Sequence, residues 1–525
     1  MYKFFSKNYI VVLIVLFFVS RLFFINSQPV FFDSLEYIER LNMNSLLQAM
    51  ASGHMPLHSG YILIFWPIFK FGQFINTNPV QLVIIFQILL SSVTIICFYK
   101  IIESIFNKQL ALKSSIIASL IPLFWITNSV IMIESSYVSF FFISLYLIIK
   151  SLRSNKKIFL LFGLISFGIS FLIHIAVLLW LPLFFYLTYL SNPKNIKYQV
   201  LPYFIASFIV FNIILGYFIS ISTGKNLLAS VFYIYTSKMN EHGNLQLDTE
   251  GIIVYLRNIV IPLLRNNTTI VFLLGSISLL ITFFKNKKVF IVFLLWMLPV
   301  LITNQWWDSL LIGRHAILAG FGFALSCALL TSRTKFFYVL VLYLLIVSIP
   351  NLFLLREKIP YLEEAKTIQS LPKNGLLIES HFARPQVDKT YQGKIVFVDE
   401  PGWDKEGLGH EIKTRLRNSK PAYVSSQALS EPYGLYSGPY LHSLSLSYKK
   451  EFVLKDVIKQ FSLKEYKTIN KEDNLIIYEI VSNKPSEYPE IKILNDHRRR
   501  MDYYDPLIQL WLRFNLSQQL SVFLK

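Results

Sequence analysis

Cysteine is nearly absent. The chain has two, Cys97 and Cys327, both inside apolar runs, so no disulfide staples an exported domain. Charge is also scarce, at 15% of residues, and almost none of it falls in the middle of an apolar run. A transporter or lipid flippase needs charged residues deep in several spans to form a path, so this scarcity counts against that class. No Gly-rich strand-to-helix turn of the dinucleotide or P-loop kind occurs, and no nucleotide site is assigned. Internal repeats and low-complexity blocks are missing too. No small-residue cleavage site follows the first apolar run, which is therefore read as a retained anchor.

What the chain does have is apolar surface. Hydrophobic residues make up 54%, Phe alone occurs 46 times, and the mean hydropathy is +0.50. Repeated runs of about twenty apolar residues predict a polytopic α-helical membrane protein with about eleven transmembrane helices. The spans are expected near 9–25, 80–102, 114–132, 136–150, 158–173, 175–190, 199–221, 268–284, 289–303, 314–331 and 336–355. The net charge of +19 sits largely in short loops between these runs. That is the pattern of cytoplasmic loops on anionic lipid, not of a nucleic-acid binder. The stretch 61–75 is broken by Pro67, Lys70 and Gly72. Placed as an interfacial helix in the first outer loop, it leaves every basic loop on the cytoplasmic side. The apolar stretch within 222–268 is read as a second interfacial or re-entrant element. Arg21, near the outer end of the first span, is expected to snorkel.

Three regions follow. Residues 1–355 form the transmembrane domain, with 27–79 as its first outer loop; 356–485 form an extracytoplasmic α/β domain; 486–525 form a basic, amphipathic tail. In the second region GLLIES (375–380), KIVFVDE (394–400), PAYVSSQ (421–427) and NLIIYEIV (474–481) read as buried strands, alternating with helical patterns near 361–371, 405–418 and 453–462. His381, His410 and His442 are too scattered to argue a metal site.

With the N-terminus inside, one face gathers Asp33, Glu36, His54, His58, Glu134, His174, Asp308, Arg314 and His315 at outer span ends or in outer loops. The inner loops hold lysines and little else. Charged and imidazole groups beside a membrane are costly to place without purpose, so the outer face is the candidate site. Asp33 and Glu36 are spaced to share a helix face, or to act as a helix cap and the second half of a capping box.

The pattern D-S-x-E-Y (Asp33, Glu36, Tyr37), a spacer, then H-x-P-x-H-x-G-Y (His54, Pro56, His58, Gly60, Tyr61) resembles the first outer loop of GT-C type polyprenyl-phosphate-dependent membrane glycosyltransferases. The likeness is to bacterial relatives of protein O-mannosyltransferases and aminoarabinose transferases. Glu134 in IMIESSYVSFFF and the Arg314–His315 pair in LLIGRHAILAGFGFAL match later family features, and so does the overall layout. Two departures stand out: Ser34 and Leu35 separate the acidic pair, and Leu57 replaces the second proline.

The resemblance implies an inverting sugar transfer from a polyprenyl-phosphate donor to a protein, glycolipid or cell-wall glycan, in a bacterial inner membrane. It gives Asp33 the role of base. Glu36 then holds the acceptor or a divalent metal ion, or acts with Asp33, and that divalent metal ion is the one cofactor considered. Arg314 and His315 bind the donor phosphate. His54, His58, Tyr61 and Glu134 contact substrate. The competing reading is a multi-pass lipid or glycan transporter without chemistry.

Overall fold

A computed structural model of the chain describes residues 9–27, 32–53, 57–192, 200–233, 267–303, 317–331, 335–356, 360–380, 390–398, 404–429, 453–470 and 475–484, with Leu263 and Val387. It divides into two units, Met1–Arg356 with Tyr503–Leu507, and Glu357–Asp502 with Ile508–Lys525.

Among its described residues, the first unit has helices as its only regular elements. It runs α1 (Tyr9–Leu22), α2 (Phe32–Asn42), α3 (Leu46–Ala51), α4 (Ser59–Phe74), α5 (Pro79–Ile105), α6 (Lys108–Leu120), α7 (Pro122–Ser129), α8 (Glu134–Ser154) and α9 (Lys157–Ile173). A 3-10 turn (Ile175–Trp180) leads into α10 (Leu181–Ser191), then α11 (Leu201–Thr223), α12 (Thr269–Lys285), α13 (Lys287–Thr303), α14 (Ile317–Thr331) and α15 (Phe336–Arg356). Among the described residues, α5, α8 and α11 are each long and apolar enough to cross a membrane. The α6–α7 pair, bent by 60°, qualifies as a fourth, and shorter apolar helices include Tyr9–Leu22, Lys157–Ile173, Thr269–Lys285 and Ile317–Thr331.

The bend replaces the single span expected over 114–132. Pro122 has no N–H to continue the helix and forces the residue before it out of the helical region, so Ile121 is extended. The break leaves carbonyls without helical partners where water is scarce. Two distant side chains satisfy them: the Arg21 guanidinium donates to the Ser119 carbonyl, and Ser348 Oγ donates to that of Leu120 at 2.9 Å. Arg21 therefore does not snorkel. It is buried, 3.7 Å from the Phe17 ring centroid and 4.3 Å from that of Trp125. The break offers it carbonyl and aromatic partners that a headgroup layer would otherwise supply.

Helix α8 packs between α5 and α9, and α14 packs on α6 and α12. Their shared core is aromatic, with Phe98, Phe142 and Phe124 all contacting Phe321 at ring-centroid distances of 4.7–5.1 Å. Cys97 and Cys327 are buried and free.

The second unit contains a five-stranded sheet. Its elements are α16 (Pro360–Ile368), β1 (Leu376–Ser380), β2 (Lys394–Val398), α17 (Lys405–Arg417), β3 (Ala422–Ser425), α18 (Val453–Ile458), β4 (Ser462–Asn470) and β5 (Leu475–Ser482). The strand order is β2-β1-β3-β5-β4. Strands β1, β2 and β3 are parallel, with Ile378 opposite both Val396 and Val424; β5 runs antiparallel to β3 and β4. Leu376, Ile378, Val424, Ile412, Phe461 and Ile480 form the core beneath it. Strand β4 lies where a helix ending near 462 and a loop were expected. It is an edge strand carrying Lys464, Glu465 and Lys467, and its charges hide the strand pattern while guarding the open edge. Glu364 on α16 is fully buried, and among the described residues neither of its carboxyl oxygens has a hydrogen-bond partner. Burial, and secondly the nearby Glu379, push its carboxyl well above the usual carboxylate range.

Candidate functional site

Helix α2 presents Ser34, Tyr37, Arg40 and Leu41 to the interior, a helical spacing, and all four are buried. Asp33 and Glu36 fall on the half-buried flank. The helix begins at Phe32, so Asp33 stands in its first turn, where the helix dipole favours a carboxylate. Ser34 Oγ donates to the Ile131 carbonyl at 2.6 Å and fixes α2 against the turn that precedes Glu134.

Arg40 is the organising residue of this loop, and it was not singled out from the sequence. Its guanidinium donates to the Ala49 carbonyl at 3.0 Å, the Leu57 carbonyl at 2.5 Å and Glu36 Oε1 at 3.4 Å. Burial pulls Arg40 below its usual pKa, and the Glu36 carboxylate works in the opposite direction. Glu36 is thus an ion-pair partner of Arg40 one turn on. Gly53 passes directly over this pair. Its φ is +99°, and a Cβ there would fall 2.2 Å from Glu36 Oε1, so only glycine fits.

Leu57 and His58 follow with φ of 65° and 44°, a left-handed pair that non-glycine residues rarely adopt. Two hydrogen bonds hold them: Arg40 to the Leu57 carbonyl, and His58 Nδ1 to the Ile173 carbonyl at 2.7 Å. Two residues later Gly60 lets α4 touch the end of α9, because a Cβ there would sit 2.7 Å from the Ile173 backbone nitrogen. This strained entry aims Tyr61 inward, where its hydroxyl donates to Gln87 Oε1 at 3.2 Å. Gln87 in turn donates to the Thr127 and Val130 carbonyls at 2.7 and 3.0 Å.

The result is a buried polar and aromatic cluster. Tyr37 lies 5.9 Å from His58 and 5.2 Å from Tyr61 between ring centroids. His174 lies 5.5 Å from His58 and 5.2 Å from Tyr137. Glu134, fully buried at the start of α8, acts electrostatically on both Tyr61 and Tyr137. The backbone sets the two imidazole tautomers. The Ile173 carbonyl can only accept, so His58 Nδ1 carries a proton. The Ala176 N–H can only donate, so His174 Nδ1 is bare and a neutral His174 carries its proton on Nε2. The backbone therefore gives the two imidazoles opposite roles at Nδ1: His58 Nδ1 donates and His174 Nδ1 accepts.

The structure brings His58, Tyr61 and Glu134 together, with Tyr37 and His174 beside them and Asp33 one helical turn from Tyr37. His54, Arg314, His315 and Asp308 lie outside the described residues, as do most of 222–268, His381, His442 and the tail 486–525. Among the described residues, no group of three His, Cys, Asp or Glu side chains converges to hold a metal ion. Arg40 had a signal available: it stands four residues after Glu36 in an amphipathic helix. The Tyr37–His58–His174 contact had none, because 116 residues separate the two histidines.

Residues 60–219 match the family model described as dolichyl-phosphate-mannose-protein mannosyltransferase. The match starts at Gly60, within the strained entry to α4. Among solved structures, ArnT from Cupriavidus metallidurans bound to undecaprenyl phosphate superposes with a TM-score of 0.50 at 8% identity. The likeness covers 92% of this chain and 99% of that one. The chain resembles the GT-C membrane glycosyltransferases. The archaeal oligosaccharyltransferase AglB from Archaeoglobus fulgidus, in complex with an inhibitory peptide and a dolichol-phosphate, is a further solved structure that the chain matches. It gives a TM-score of 0.48 at 11% identity, over 95% of this chain and 78% of that one. No curated protein matches by sequence. With ArnT the shared property is the GT-C fold, spanning nearly the whole length of both chains.

Proposed function

We propose that this chain is an integral-membrane glycosyltransferase that moves a sugar from a polyprenyl-phosphate donor to a hydroxyl or amine acceptor on the extracytoplasmic face. The observation that carries the reading is the buried cluster of Tyr37, His58, Tyr61, Glu134 and His174 beside Asp33, in a segment that overlaps the family match. In this reading Asp33 takes the acceptor proton as the acceptor atom bonds to the anomeric carbon. The bond from that carbon to the donor oxygen breaks, its electrons leave with the polyprenyl phosphate, and the configuration inverts. Arg314 and His315 stabilise the charge that grows on the phosphate. His58 and Tyr61 pack behind the helix that carries Asp33, and Glu36 acts through Arg40 by holding the loop. The acceptor is a protein, a glycolipid or a cell-wall glycan. The protein sits in a bacterial inner membrane with its N-terminus in the cytoplasm.

The test is direct. Purified full-length protein in proteoliposomes is given a synthetic polyprenyl-phosphate sugar and membranes from cells lacking the gene, and free polyprenyl phosphate is followed by mass spectrometry. Release that depends on both protein and acceptor is the expected result. An intact donor that is merely moved between leaflets would replace this reading with transport.

A further inference from the structure

At the opposite end of α5 and α8 from the site, the chain forms an open cleft of about 490 Å³. Lys100, Glu103, Tyr146, Lys150 and Arg153 line it. Three cations face one carboxylate, so two positive charges are left uncompensated. Glu103 is already engaged: it accepts from Lys100 Nζ at 2.8 Å and from Tyr99 at 3.0 Å. Among the described residues, Lys150 and Arg153 have no carboxylate partner. Arg153 is instead fixed in place by donating one Nη2 bond to the Ser104 carbonyl at 3.0 Å, near the end of α5. Its remaining N–H groups are available to an incoming anion. The Lys150 ammonium sits 4.2 Å from the centroid of the Phe159 ring.

The location selects the anion. Both α5 and α8 are long and apolar enough to cross a membrane, so a cleft between their ends lies at headgroup depth. Helix α9 begins immediately beyond α8 and exposes Ile158, Leu161 and Phe162, an apolar surface suited to acyl chains. Lys108, Lys156 and Lys157 add positive charge in the adjoining turns. A guanidinium and an ammonium held together match phosphate oxygens. We propose that this cleft binds the phosphate of an anionic phospholipid headgroup, with the acyl chains lying along α9. The inference is independent of any activity at the other end of the bundle.

The experiment is native mass spectrometry of the full-length protein in micelles titrated with phosphatidylglycerol, with phosphatidylcholine, and with phosphatidylglycerol plus inorganic phosphate. Phosphatidylglycerol should bind at least about tenfold tighter than phosphatidylcholine, and the K150Q/R153Q variant should lose that preference. Lys150→Arg, which keeps the charge, should retain it, and so should the K285Q/K287Q variant, altered in another basic turn. Equal binding of the two lipids, or an undiminished preference in K150Q/R153Q, would overturn the proposal. Displacement of the lipid by millimolar phosphate would also overturn it, by assigning the cleft to a soluble anion. Should K150Q/R153Q fail to fold, Lys150→Gln alone carries the same test with a smaller loss.

Discussion

The two ends of α8 treat charge in opposite ways. At its first turn, Glu134 is fully buried among tyrosines, and Arg40 nearby is buried with a carboxylate and two carbonyls around its guanidinium. At its last turns, Lys150 and Arg153 line an open cleft and have no carboxylate partner among the described residues. Burying a charge costs several kcal/mol unless it is closely partnered, whereas an exposed cation costs little. The buried Arg40 is therefore held by specific geometry, and the exposed cations act as a surface. The first end is built to position groups, and the second to meet whatever lies against it.

The sharpest way to break this comparison is Arg40→Ala. It removes three hydrogen bonds, including the one to Glu36, and frees the left-handed Leu57–His58 turn. A loss of about 3–5 kcal/mol is expected, read by thermal unfolding of the purified protein, with lost turnover in whatever remains folded. Gly60→Val is next. Its side chain would meet the Ile173 backbone, and prying α4 from α9 should cost about 1–3 kcal/mol by the same measurement.

Glu364 extends the comparison to the second unit, where a buried carboxyl has no hydrogen-bond partner among the described residues. Its folded pKa is raised above its unfolded one, so it supports folding at low pH and loses that support as pH rises. Glu364→Gln should slow hydrogen exchange in β1 and β3 at pH 8, by on the order of 1–2 kcal/mol, with little change near pH 4. The smallest effect belongs to the exposed end. Lys150→Gln should change the unfolding midpoint by less than about 0.5 kcal/mol equivalent, because its removal strands no buried group.

How far these features were legible in the sequence depends on the range of the contacts behind them. The long apolar runs located α5 and α8 within a few residues, because bilayer thickness dictates their length. The strands β1, β2, β3 and β5 are apolar enough to announce themselves, whereas β4 is masked by its lysines. The α6–α7 break had a visible cause in Pro122, but hydropathy averages across a single proline. Arg21 looked like a snorkelling residue because its partner carbonyls exist only once that break has formed. In the site, His58, Tyr61 and Glu134 could be named from local pattern. Their convergence with His174 could not, since it depends on α9 returning beside α4.

The central claim is that Asp33, at the buried-cluster end, serves sugar transfer from a polyprenyl phosphate. The decisive measurement is the initial rate of polyprenyl-phosphate release by Asp33→Asn protein in proteoliposomes, set against wild type at equal, folded amounts. If Asp33 is the general base, its replacement should slow the reaction by about 10²–10⁴-fold while leaving the unfolding midpoint nearly unchanged. A variant that turns over donor at the wild-type rate would contradict the account.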